Sequence, residues 1–218
     1  MIKKLTTSIM MLTVAFGGYA FLEPSTVGAA TDTDQIIVNL TVDDGISITS
    51  PADVNMSTMG ISANTSTGWA VWNVKTNAPA GYELDVIASA TPAMQSGSDS
   101  FADYTEATPG DPDTFAVDAG EFEFGFSALG VDVENVGSDK YGASGQTVCD
   151  DGSSSSTVNT NLNFEGFEGA TNKIIASRAA TTTTDGVDTR ICFAAGQNGV
   201  FTPAGSYSAT ITATATTL

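Results

Sequence analysis

No histidine occurs anywhere in these 218 residues. That absence excludes histidine-dependent triads, imidazole general acid–base chemistry and His-ligated zinc, and with them a large share of secreted hydrolases. Cations are almost as scarce: seven Lys and Arg stand against twenty-five Asp and Glu, a formal net charge of −18. A surface of that sign repels nucleic acid and anionic membranes, so neither is expected as a partner. No long apolar run follows Leu22, so no bilayer span is expected downstream of it. Asp-Thr-Gly and Asp-Ser-Gly are also missing, which leaves an aspartic protease without support. Cysteine is limited to Cys149 and Cys192.

What the chain does have begins with an address. Lys3 and Lys4 precede the apolar run Ile9 to Leu22, and Val27-Gly28-Ala29-Ala30 offers small residues to a peptidase. This order predicts a secretory signal peptide over residues 1–30, with a single domain over 31–218 and a secreted or cell-surface destination. In an oxidising compartment the two cysteines are expected to pair. Cys149–Cys192 would close a loop of roughly 43 residues, worth on the order of 4 kcal/mol in the chain-entropy model.

The remainder is rich in Thr, Ser, Ala and Gly and poor in Leu, a composition suited to short strands joined by polar turns. Gln35 to Val42 alternates, with Ile36, Val38, Leu40 and Val42 on one side and Ile37, Asn39 and Thr41 on the other. Strands are likewise expected over Ile46 to Ser50, Val54 to Met59, Trp69 to Thr76, Tyr82 to Ala88 and Glu121 to Ser127. The second half adds Leu162 to Phe167, Lys173 to Ser177, Val187 to Ala195 and a final Thr/Ala alternation from Tyr207. In Glu121 to Ser127 the phase puts Phe122, Phe124 and Phe126 inward and Glu121 and Glu123 outward. Residues 94–120 and 138–160 read as long acidic or polar loops. The turn Pro79-Ala80-Gly81-Tyr82 is echoed by Pro203-Ala204-Gly205-Ser206-Tyr207, as if one device served twice. Many short strands and no long helix predict an all-β, antiparallel immunoglobulin-like sandwich, with a jelly roll as the alternative.

Candidate sites are few. Glu121 with Glu123 is a carboxylate pair of the kind glycoside hydrolysis uses, but solvated outward charge explains it better. Ser138-Asp139-Lys140 reads as a turn rather than a serine–lysine arrangement. Asp111, Asp113 and Asp118 form an oxygen-rich loop that suits a structural calcium, without EF-hand spacing; Asp150-Asp151-Gly152 is a weaker version. Trp69 is the one tryptophan on the outer phase of its strand, a candidate for stacking on a glycan, whereas Trp72 and Tyr82 fall on the core phase. Lys75 has no evident partner for an isopeptide bond. No catalytic residue is expected.

The ending Pro203-Ala204-Gly205-Ser206-Tyr207-Ser208-Ala209-Thr210-Ile211-Thr212-Ala213-Thr214 resembles the last strand of secreted bacterial β-sandwich proteins, including pilins related to spore coat protein U. The resemblance covers about fifteen residues. The wider plan of signal peptide, early alternating strand, Trp-bearing strand and Thr/Ala-rich final strand is similar to that of surface proteins of uncultivated bacteria. It implies a non-catalytic surface structural role. Pilins assembled by a chaperone and usher lack their own last strand, whereas this chain carries one. The combined expectation is a pilus- or filament-like subunit that self-associates through terminal strands, with Ile36, Val38, Leu40 and Val42 as the assembly strand. The alternative is a monomeric adhesin or carbohydrate-binding module using Trp69. No cofactor beyond the calcium is implied.

Overall fold

A computed structural model describes residues 36–136, 140–142, 145–150, 157–169 and 171–218. The signal peptide, Ser138-Asp139, Asp151-Gly152 and the serine run 153–156 lie outside the described residues. By contacts the chain divides into Met1–Thr41 and Val42–Leu218, and among the described residues the regular structure belongs to the second unit.

That unit is all-β. Its larger sheet has the order β1-β2-β11-β8-β6, from Ile46–Thr49, Thr65–Thr76, Val187–Gln197, Phe122–Leu129 and Ala102–Asp103. Its smaller sheet has the order β10-β3-β12, from Lys173–Arg178, Tyr82–Ala88 and Ile211–Thr217. Two-residue pairs complete the set: β4 (Gln95–Ser96) with β5 (Asp99–Ser100), and β7 (Asp113–Thr114) with β9 (Asn163–Phe164). All ladders are antiparallel except the short β6–β8 pairing. A single 3-10 turn, Val133–Val136, is the only helical element among the described residues.

Alternation explains the main strands. In β2 the residues Ala70, Trp72, Val74 and Thr76 are buried on one face, and in β3 Tyr82, Leu84, Val86 and Ala88 are. They meet Phe124, Phe126, Ile191, Phe193 and Ile175 in one core between the two sheets. The strand β11 lies between β2 and β8 and is covered on both faces. On its other side Cys192 and Ala194 join a second cluster with Tyr104, Leu129, Cys149, Val158, Leu162 and Phe164. The Cys149–Cys192 disulfide sits in that cluster.

The second cluster corrects several expectations. Glu123 is not an outward solvated charge: it is 5% exposed, because chain from the acidic loop covers its face of the sheet. Residues 94–120 are more than a loop, since four two-residue strands lie there and Phe101 and Tyr104 enter separate clusters. In 138–160, Tyr141, Cys149 and Val158 are buried. The strand expected over Leu162 to Phe167 shrinks to β9.

Two expected strands are absent. Residues 54–59 form no ladder; Val54 and Met56 lie across β2 where Gly68 leaves room, a Cβ there falling 2.6 Å from the Val54 Cγ1. The Ser66 hydroxyl ties this segment down by donating to the Ser57 carbonyl at 2.6 Å. Ile36 to Val42 carries no strand assignment either. A strand is made by its ladder, and alternation alone supplies no partner.

Candidate strand-docking groove

The connection from β2 to β3 is short, so Thr76 and Tyr82 mark one end of the unit and Thr65, Ala88 and Ile211 the other. Near the Tyr82 end β1 lies close to β12. Beyond Thr49 the chain leaves its ladder, and along this side the two sheets part. A groove of about 1330 Å³ runs there, with residues 50–61 on one bank and 201–213 on the other. Its floor is apolar: Ala70, Trp72, Phe124, Phe193 and Ala195, with Met94 and Phe101 beside them. Among the described residues Asp53 is the only charged one lining it.

The bank formed by β12 has an unused edge. Thr210 accepts from the Ser89 N–H at 2.9 Å, and Ser208 exchanges both backbone bonds with Gln95, so the even residues face β3 and β4. Antiparallel alternation then turns the N–H and C=O of Ala209, Ile211 and Ala213 toward the groove. Among the described residues no strand pairs with that edge. The side chains of Tyr207, Ala209, Ile211 and Ala213 point at the core yet are only half-buried, as expected for a sheet face that lacks its neighbour. No family model, curated protein or solved structure matches this chain.

The expected assembly residues are strongly exposed: Ile36 is 88% exposed, Val38 83%, Leu40 86% and Val42 71%. From Ile36 to Val42 the segment carries no charge, and Asp43-Asp44 follow at once.

Other candidates take different places. Trp69 is 53% exposed, but the Arg190 guanidinium lies 4.7 Å from its ring centroid, so the exposed tryptophan already carries a cation. Tyr82, Tyr104 and Tyr141 are buried and offer it no companion stacking face. Asp113 accepts from the Tyr104 hydroxyl and, at 2.8 Å, from the Ala107 N–H, whereas Asp111 and Asp118 are exposed. Among the described residues no three acidic or sulfur ligands converge. Glu121 is exposed and Glu123 buried, its carboxyl raised above the ordinary range mainly by burial. Lys140 pairs with Glu165 at 3.1 Å, and Lys173 reaches the same carboxylate at 3.5 Å. Tyr141 also donates to Glu165, and burial with that neighbouring charge holds its hydroxyl far above the usual tyrosine range. These groups tie the 140–169 region to the sheets.

Sequence reasoning missed the groove's banks. Residues 50–61 and 201–206 lack regular structure, and only the prolines at 51 and 203 hinted that the chain leaves its ladders there.

Proposed function

We propose that this protein is a non-catalytic structural subunit of an extracellular surface polymer, assembled by strand addition. In this reading Ile36 to Val42 of one copy enters the groove of the next and pairs with the free edge of β12. The observation that carries it is the fit between two features left unpartnered among the described residues: an apolar groove with Asp53 as its one charged lining residue, beside an open strand edge, and an uncharged alternating segment. In a chain with twenty-five acids, two copies approach most readily where little charge is presented.

The finer fold reading supports the same step. The order β1-β2-β11-β8 matches one sheet of an immunoglobulin-like sandwich, and β3 with β12 matches the start of the other, in which one more strand lies beside the position of β12. A neighbour's strand would complete that sheet. Full burial of Ile36, Val38, Leu40 and Val42 contributes about 1.5–3 kcal/mol each before association costs.

The test uses the chain from Thr31 and its Val38→Asp/Leu40→Asp variant. The unsubstituted protein should form filaments by negative-stain microscopy, and the variant should stay monomeric with an unchanged circular dichroism spectrum. Added peptide of the sequence Ile36 to Val42 should then raise the variant's Tm by mass action, equivalent to about 2.7 kcal/mol at a hundred times its Kd. Monodisperse particles from the unsubstituted protein, together with a Tm that ignores the peptide, would sink the proposal. The glycan-binding alternative has weaker support, since Arg190 occupies a face of Trp69.

A further inference from the structure

This inference rests on strand addition and concerns what else the two copies touch. At the Tyr82 end β12 meets β1, and at the other end Ile61 and the loop beginning at Phe201 stand on the groove's two banks. A donated strand that pairs antiparallel with β12, the sense of both long ladders of β3, has Val42 at the Ile61 end. From Val42 to Ile46 an extended chain covers at most about 14 Å. The donor's body has to stand that close to the rim.

Both surfaces suit the contact. At the rim Ile61 is 81% exposed and Phe201 64%, and both line the groove. On the donor, the tether is braced rather than loose. Asn77 accepts from the Gly45 N–H at 2.6 Å through its Oδ1 and donates to the Asp43 carbonyl at 2.9 Å through its Nδ2. The Thr76 hydroxyl donates to the Gly45 carbonyl at 2.8 Å. Beside this brace is an open depression of about 470 Å³, lined by residues that include Ile46, Lys75, Thr182 and Thr183, with no acid among its described lining residues.

We propose that Ile61 and Phe201 of the accepting copy pack on the Asn77-braced end of the donating copy, a second contact that fixes the angle of each joint. Asn77 is then a positioning residue for the donated strand.

Assembly and peptide capture separate this contact from the strand itself. Full-chain Ile61→Ser/Phe201→Ser and, independently, Asn77→Ala should each raise the critical concentration for assembly roughly tenfold, the scale of a small interface hot spot. Asn77→Ala placed in the Val38→Asp/Leu40→Asp chain, away from the groove, should leave its affinity for the Ile36 to Val42 peptide essentially unchanged. If assembly is unaffected by both, or if Asn77→Ala lowers peptide affinity and assembly in equal measure, no body-to-body contact exists and the inference falls. A parent protein that neither assembles nor captures peptide would instead remove the strand-addition reading beneath it.

Discussion

Glu106 is a carboxyl group with half of its hydrogen bonding missing. Its Oε1 accepts from the Gly166 N–H at 3.1 Å, whereas its Oε2 is buried without a partner among the described residues. Burial is the main reason its pKa is raised, and Glu123 is raised for the same reason. A carboxyl that holds its proton more tightly folded than unfolded favours the native state at low pH. That stability is lost as the pH rises from the unfolded value, about 4.3, through the raised folded one. Glu106→Gln keeps the acceptor for Gly166 and replaces the unpartnered oxygen by a neutral amide. Its Tm should exceed that of the parent at neutral pH, and the gap should narrow as the pH falls through that interval. A thermal melt series across pH checks both; a gap independent of pH would mean that ionisation of Glu106 is not the cause.

At the level of elements, period-two patterns were reliable where a ladder neighbour exists and silent about whether one does. Trp72, Val74, Tyr82 and Leu84 are buried as their phase implies, because β2 and β3 each have strands on both sides. Ile36 to Val42 shows an equally clean alternation and has no strand, since pairing depends on a second segment that local pattern does not encode. The burial of Glu123 was hidden for a related reason: the cover over its face comes from the acidic loop, far from it in pattern though near in space. The groove was illegible altogether, being a space between segments. The repeated Pro-Ala-Gly turn also parts company with its echo. Gly81 has φ of 90°, and a Cβ there would lie 1.8 Å from the Arg178 carbonyl oxygen. Gly205 is not in the left-handed region, and its nearest neighbour is the Ser96 hydroxyl at 2.7 Å, which can rotate away. Gly81→Ala should therefore cost about 3 kcal/mol or more and Gly205→Ala under about 1. Denaturant melts of the two variants would reject this assignment if the costs were equal.

For the whole molecule, charge and groove pull in opposite directions. Copies of net charge −18 repel at a distance, yet the donated segment Ile36 to Val42 is uncharged and the groove's described lining carries Asp53 alone. Added salt shortens the reach of repulsion, the Debye length falling from about 30 Å at 0.01 M to about 10 Å at 0.1 M. Assembly followed by light scattering should accelerate severalfold over that range, whereas capture of the uncharged peptide should change little. Equal salt dependence of the two would show that the acidic surface plays no part in the encounter.

The disulfide has a consequence in time rather than in energy. Cys192 lies in the middle of β11 with no exposure and Cys149 is 4% exposed, so a reductant has no route to either sulfur while the sheets stay closed. Cleavage must wait until the second cluster opens. The rate at which dilute thiol reduces this protein is then a clock for that opening, and the bond can outlast a spell in a reducing medium far shorter than the clock's period.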